Sequence, residues 1–521
     1  MKSGKGVIPV GSTFTGLSIA TRGLYSSQGG LLVTSNNISN INTDGYSRQV
    51  VKQSAVVNST QSSKGVVNGG GSQVTSADRV RNTSLDQKYW RANLSAGEWE
   101  VKNNTLSEIE SILSDTSNSD GLTNLLENFY DSMEDLAKDP SSTSVRTVVK
   151  QSANTICDYL NDVSTQLTQL REGLNTEVKT VTDEINMYAR QIADLNARIR
   201  EASLSGASTN ELEDQRTVMI DNLSKLTKIE VTEVVSGKSS NGMEVKSLSI
   251  IVDGNALVSD DKARQLECYT ITDGSARNGM YGIRWNDTGN SFSPGGGELQ
   301  SYLEMRDSDG SGSNTKGVPY YLNQLDEFAR TFAKAFNEGV YRDGVTYYSG
   351  HSGGSGTDGS TGIRFFSYNG CSSDELMASG ADIDEIYSHI TAANLSISQD
   401  IEADVGKIAA SSLSGASGNN ENINDLISIC KDAKMFDKGT PEDFLSSIIS
   451  NVGSDTSFAE ELLENYSKIV KTINDRRLSV SGVSLDEETA NLAKYQQIYN
   501  ASAKMVSVWS EIFEETINLI S

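Results

Sequence analysis

Apolar residues recur at every seventh position at both ends of this chain. Leu17, Leu24, Leu31 and Ile38 hold an unbroken seven-residue interval, with Ala20, Thr34 and Ile41 on the alternate positions. This pattern predicts a helix over 14–41 carrying a coiled-coil seam, with small residues on one side that permit close helix approach. Asp44-Gly45 supplies the stop and turn. At the far end, Leu492, Tyr499, Val506, Phe513 and Ile520 repeat the interval in a helix that opens near Leu485 and runs to the last residue, flanked by Ile498, Met505, Ile512 and Leu519. Each stripe is wider than one partner helix covers. The economical reading is that the two ends pack on each other and on neighbouring subunits, since such a surface on a lone monomer is an association liability.

Between the ends the period changes twice. Residues 46–78, rich in Ser, Val and Gly, read as an extended segment or loose hairpin. Helical spacing resumes near Asp78 and holds through Leu85, Trp99, Leu106 and Leu113 to about Ser114. A shorter helix is predicted over 121–138, ended by Asp139-Pro140. The strongest pattern spans 144–204, where Leu160 to Ile199 step by three and four almost without fault, over about 90 Å of helix at 1.5 Å per residue. Two consecutive steps of four around Leu174 form a stutter that unwinds a left-handed supercoil locally. A turn at 203–208 and a returning helix through Leu212, Met219, Leu223 and Leu226 complete an antiparallel rod.

From Ile229 the period becomes two. Val231, Val234 and Val235, then Leu248, Ile250 and Val252, then Tyr269, Ile271, Tyr281, Ile283 and Trp285 predict strands, closed by the glycine run at 295–297. Helix returns over 298–307 and 319–339. Residues 341–390 are Gly/Ser-rich and read as irregular or as a small second insert. A last internal helix starts at Thr440-Pro441 and runs to Leu478. The fold class is mainly α with a β insertion, in nested discontinuous domains. These are a terminal coiled-coil unit at 12–45 and 485–521, and a helical rod at 46–229, 298–340 and 391–484. A β-rich insert at 230–297 and the segment at 341–390 complete the layout.

Composition narrows the function. At 521 residues the chain exceeds one core. A formal charge of −25 opposes nucleic-acid binding, which needs a basic surface. No 18-residue apolar run exists to cross a membrane. The first ten residues lack the apolar stretch of a Sec signal, so composition alone points to the cytosol. The four cysteines, no two closer than 59 residues, match neither a zinc site nor a redox pair and read as small buried hydrophobes. His351 and His389 lack ligand spacing and read as surface loop residues. The glycine triplets at 69–71 and 295–297 lack the Lys-Ser/Thr of a phosphate loop. Asp486-Glu487-Glu488 fall in a first helical turn, where carboxylates complement the helix dipole. No catalytic constellation, cofactor or metal site is expected.

One set of residues carries a resemblance. Asn37-Ile38-Ser39-Asn40 followed by Thr43-Asp44-Gly45-Tyr46-Ser47-Arg48-Gln49 resembles the N-terminal motif of bacterial flagellar rod, hook and hook-associated proteins, with Ser39 where that family usually has Ala. The run Ser481-Gly482-Val483-Ser484-Leu485-Asp486-Glu487-Glu488, with Asn491-Leu492, Tyr495-Gln496-Gln497, Tyr499 and Ala501-Ser502-Ala503, resembles the matching C-terminal motif. Gly297-Glu298-Leu299, Arg306-Asp307, Leu325-Asp326 with Asn337, and Ile390 to Leu395 are similar to the interior of hook–filament junction members. The resemblance implies a structural subunit of a ring between hook and filament, in contact with hook protein and a second junction protein. It also implies export through the flagellar type III apparatus without a cleaved signal, and a chaperone covering the C-terminal helix beforehand. The expected assembly residues are Leu17, Leu24, Leu31, Ile38, Asn40, Thr43, Gly45 and Tyr46 at the start, and Leu485, Leu492, Tyr495, Tyr499, Val506, Phe513 and Ile520 at the end. The competing readings are another axial subunit, flagellin-like or hook protein, and an axial scaffold carrying an adhesive outer domain.

Overall fold

The structure is a computed structural model that describes residues 11–57, 69–114, 121–238, 244–311, 315–342, 346–432, 435–436 and 439–518. Expectations for residues 1–10, Leu519 and Ile520 fall outside them. The chain opens with α1 (Gly11–Ser39) and an antiparallel hairpin, β1 (Gln49–Val57) and β2 (Gly69–Arg79). Helices α2 (Thr83–Ser114), α3 (Leu122–Lys138), α4 (Thr143–Ser205) and α5 (Asn210–Leu226) follow. Helix α2 starts later than the expected 78 because Asp78 and Arg79 are still in the ladder, opposite Val50 and Gln49. Asn82 Oδ1 then accepts from the Ser84 and Leu85 amides and opens the helix. Gly206, at φ +76°, ends α4 in the left-handed conformation that glycine adopts without strain.

Helix α4 is the spine of two cores. Its first half packs with α3 around Phe129, Leu160 and Leu167, and its second half, from Val178 to Ala193, enters a separate core. The handover falls between Leu174 and Val178, where the three-and-four stepping stutters, so the irregularity separates two sets of partners. The second core lies beneath the strands β3 (Glu230–Lys238), β4 (Glu244–Val252), β5 (Asn255–Ser259) and β6 (Lys262–Ala263), antiparallel in that order, and the hairpin β7 (Leu266–Thr270) and β8 (Tyr281–Trp285). Leu248, Ile250 and Val252 alternate inward on β4 as their spacing predicts. Strands β5 and β6 were not expected; β6 is two residues long, and β5 places Leu257 and Val258 side by side, both buried, where a period of two would alternate them.

Helices α6 (Gly297–Asp307) and α7 (Val318–Glu338) return the chain to the first core. The stretch read as irregular holds β9 (Gly339–Arg342), β10 (Thr346–Ser349), β11 (Phe366–Tyr368), α8 (Ser373–Met377) and α9 (Ile383–Ser388). It is followed by β12 (Leu395–Ile397), which pairs with β11, and α10 (Gln399–Ala403). These pieces pack into the first core: Phe365 and Phe366 are fully buried, with ring centroids 5.3 Å from Phe336. The quoted interior motif residues stitch this region. Asn337 Oδ1 accepts from the Phe365 and Phe366 amides and its Nδ2 donates to Phe366 O, while Asp326 Oδ1 accepts from the Ala392 amide at 2.8 Å.

His351 corrects the surface reading. It is fully buried: Nδ1 donates to Ile363 O at 2.7 Å and Nε2 accepts from the Ala409 amide at 2.8 Å. Those two bonds require the neutral ring, and burial pushes its pKa down to about 4. His389 is exposed. Of the cysteines, Cys157 and Cys430 are buried and Cys268 and Cys371 half-buried, all with free thiols. Helix α11 (Glu421–Cys430) leads to α12 (Pro441–Ser481), whose Thr440 and Asp443 form a capping box, and α13 (Leu485–Asn518) closes the chain.

Candidate assembly site

Helices α1 and α13 lie antiparallel along their length, and glycines set the distance between them. A Cβ added to Gly16 would sit 2.2 Å from Trp509 Cζ2, one on Gly23 2.9 Å from Ser502 Oγ, and one on Gly30 2.5 Å from Tyr495 Cε1. Each step of seven down α1 meets a step of seven up α13. The series ends at Asn37 and Glu488, both buried, and Phe14 and Phe513 meet at the other end, centroids 4.9 Å apart and rings inclined at 45°. Bulky side chains of one helix fill notches that only glycine leaves in the other.

The sequence-derived seam lies beside this line. Leu17, Leu24, Leu31 and Ile38 are half-buried, as are Leu492, Tyr495, Tyr499, Val506 and Phe513, while Ala20 and Thr34 are buried and Ile41 and Leu485 exposed. Helix α1 turns a further face to the hairpin, where Arg22 donates to Gly70 O at 2.7 Å and Ser26 Oγ to Ser72 O at 3.2 Å. Sequence reading passed over the glycines because it scored apolar residues. Gly16, Gly23 and Gly30 nonetheless share the seven-residue spacing of Tyr495, Ser502 and Trp509, and that coincidence was the available signal.

The turn after α1 is a clasp. Asn40 Nδ2 donates to Asn36 O, and Thr43 Oγ1 donates to Asn40 Oδ1. Gly45, at φ +75°, passes so close to α5 that a Cβ would lie 2.2 Å from Val218 Cγ2. The buried Asn37 Oδ1 accepts from the Gln49 amide and the Tyr46 hydroxyl, and its Nδ2 donates to Gln49 O. The side chain thereby pairs with a strand backbone. Burial, with the nearby carboxylates of Glu211, Asp214 and Glu488, pushes the Tyr46 phenol up to about 12, so it remains a donor.

Ser47 fixes the turn to the rod. Its amide and hydroxyl both donate to Asp214, at 2.8 and 2.7 Å, and Arg79 reaches Asp214 at 3.0 Å and Glu213 at 2.7 Å. Arg81 donates to Ser47 Oγ and makes a forked pair with Asp86, which Arg477 of α12 also engages at 2.9 Å. Arg477 continues to Asp221, whose other oxygen takes the Trp90 indole N–H at 2.6 Å. Arg48 adds a backbone bond to Ser481 O and an ion pair with Glu487. The network ties hairpin, α2, α5 and the α12–α13 joint to one point. Asp214, Asp86 and Arg477 are nearly sealed from solvent, where losing one partner of a charged set costs about 3–5 kcal/mol. Asp214, Asp86 and Arg477 escaped sequence reading, since a lone charged residue on a helix has no local mark of burial.

This arrangement holds helices; no constellation for bond-making chemistry is visible in it. Among the described residues, no group of three or more His, Cys, Asp or Glu could hold a metal ion, and no helix is long and apolar enough to cross a membrane.

Residues 106–366 match the family model described as the flagellar hook-associated protein FlgK helical domain, and 474–519 that of the flagellar basal body rod FlgEFG protein C-terminal. The second match spans the Arg477–Ser481 joint and the α13 seam. Flagellar hook-associated protein 1 of Bacillus subtilis is 32% identical over 97% of this chain and 98% of its own length. The protein of that name from Salmonella typhimurium is 25% identical over 96% and 99%. The solved flagellar hook junction protein FlgK from Burkholderia pseudomallei shares 21% identity and superposes at TM-score 0.40 over 53% of this chain and 46% of that one.

Proposed function

The chain belongs to the flagellar hook-associated protein 1 family, and we propose that its paired terminal helices are the element through which it assembles. As a member it is a structural subunit of the bacterial flagellum at the hook–filament junction, associated with hook and filament components. The glycine-notched α1–α13 pair carries the assembly reading. It is built for close packing, yet Glu488 is the only buried residue among those described in α13. A helix so sparsely covered by its own chain has surface left for neighbours.

In this reading residues 12–45 and 485–521 form the assembly unit, and the ion clasp sets its angle on the rod. The rod comprises 46–229, 298–340 and 391–484, and the insert 230–297 stands outside the packing core of the junction. Subunits form a ring against hook protein below and a second junction protein above. The chain travels through the flagellar type III export apparatus, and a chaperone shields the apolar faces of α13 beforehand.

The test is a chain truncated after Ser484. Circular dichroism and limited proteolysis should show both internal cores folded, because neither uses an α13 side chain. Cells carrying it should build hooks and shed their filaments. Filaments that stay attached would sink the proposal.

A further inference from the structure

The two internal cores divide the chain unequally. Buried members of the first run from Leu106 to Leu174, then resume at Met305 and end at Ala459. Those of the second run from Val178 to Leu299 and fill the interval. No buried residue is shared, and α4 crosses the border at its stutter. One continuous stretch therefore closes the second core, while the first needs two stretches that this one separates. Asparagines on α4 allow a direct comparison. Asn186 exchanges two bonds with the backbone of Leu266, both at 2.8 Å, across 80 residues, and Asn196 donates to Asp260 O at 2.7 Å across 64. In the first core Asn161 donates to Leu395 O at 3.0 Å across 234 residues. The buried Arg146 reaches Ile408 O across 262, and Asn420 reaches Ala137 O across 283.

We infer that residues 178–299 fold as one unit before the first core closes. Bringing two points of a flexible chain together grows rarer with the three-halves power of their separation. The ratio of 234 to 80 makes the Asn161–Leu395 contact about fivefold rarer than Asn186–Leu266. The sheet order β3-β4-β5-β6 follows the chain, so each of these strands pairs with the one before it, and contacts near in sequence form first. Helices α3 and α4 of the first core are also neighbours in sequence, but their pairing does not close it. Phe129 is sealed only by Phe336, Phe365 and Phe366, and Phe328 only by Phe436 and Phe444. The order also holds for a chain released end first. Whichever end leads, 178–299 is free before the whole of 106–459 is.

The test is refolding of the full-length chain from urea, followed by pulsed hydrogen exchange and peptide mass spectrometry. Amides of 245–258 and 281–285 belong to the second core, and those of 365–368 and 395–411 to the first. The second-core segments should gain protection with a time constant about fivefold shorter than the first-core segments. A single phase for all of them, or earlier protection of 365–368 and 395–411, would overturn the inference. Phe366→Ala gives an independent check, because it removes a fully buried ring from the first core alone. In that variant 245–258 and 281–285 should be protected as fast as in the unsubstituted chain, even where the first core never closes. If they slowed with it, the second core would be shown to wait for the first, and the proposed order would fall.

Discussion

Replacing glycine by alanine in a helix should change sign with position in this protein. In an open helix the exchange stabilises by roughly 0.5–1 kcal/mol, since glycine loses more backbone entropy on folding. Gly173, in α4, has nothing within 4 Å of where an added methyl would stand, so G173A should gain about that much. At Gly30 the same methyl would lie 2.5–2.7 Å from three atoms of the Tyr495 ring, and at Gly16 2.2–2.8 Å from three atoms of Trp509. Carbon contacts need about 3.5–4.0 Å, so the helices must part by about 1 Å or the rings must leave their notches. Overpacking of this kind costs about 1–3 kcal/mol. Against the propensity gain, G16A and G30A should each lose about 1 kcal/mol of local stability. Gly23 faces the movable Ser502 hydroxyl at 2.9 Å and should be near neutral. Two cores and a peripheral helix pair do not unfold as one unit, so the measurement is hydrogen exchange of α1 and α13 peptides. About 1 kcal/mol corresponds to roughly fivefold faster exchange, and the G16A/G30A double variant should reach about thirtyfold. Slower exchange in G30A than in the unsubstituted chain would refute the glycine-notch account of the seam.

Three further outcomes follow from buried groups. His351 has an ordinary pKa of 6.5 when unfolded and about 4 when folded, so the unfolded chain binds the extra proton between those values. Its contribution is complete above pH 6.5 and lost as pH falls toward 4, about 3 kcal/mol in all; urea midpoints across that window should flatten in His351→Gln, and an unchanged slope would remove His351 as the cause. Asp214→Ala leaves both Ser47 donors without their acceptor and Arg79 with Glu213 alone, and should cost about 3 kcal/mol locally, against about 1 kcal/mol for Ser47→Ala, which leaves the amide bond in place; proteolysis at the 40–49 turn reads the difference, and equal rates would contradict the clasp. Burial pushes the Cys157 and Cys430 thiols up, so alkylation followed by peptide mass spectrometry should mark Cys371 and Cys268 in the native chain and the other two only after denaturant; early labelling of Cys430 would contradict its place in the core.

Long periodic elements were legible in the chain because a helix that buries one face must repeat its apolar residues. The reading of 144–204 against an observed Thr143–Ser205 shows how far that rule reaches. The stretch 341–390 shows where it stops. Strands of three or four residues and one-turn helices hold too few positions to display a period, so the Gly/Ser-rich composition around Phe365 and Phe366 reads as irregular. His351 was misplaced for a related reason. A polar ring is read as exposed unless its partners are known, and they lie 12 and 58 residues away, at Ile363 and Ala409.

The terminal pair divides the two kinds of information most sharply. By itself the sequence determined that both ends are helices of one period with apolar stripes wider than one partner helix covers, because periodicity and stripe width are local quantities. It also carried the motifs that mark the flagellar axial proteins. Only the tertiary structure decided that the closest line of contact runs through Gly16, Gly23 and Gly30 rather than through the leucines, since how near two helices come depends on what faces an absent side chain. Only the structure decided that Ser47 anchors to Asp214 and Arg477 to Asp86 and Asp221, because burial of a charge is set by neighbours hundreds of residues away.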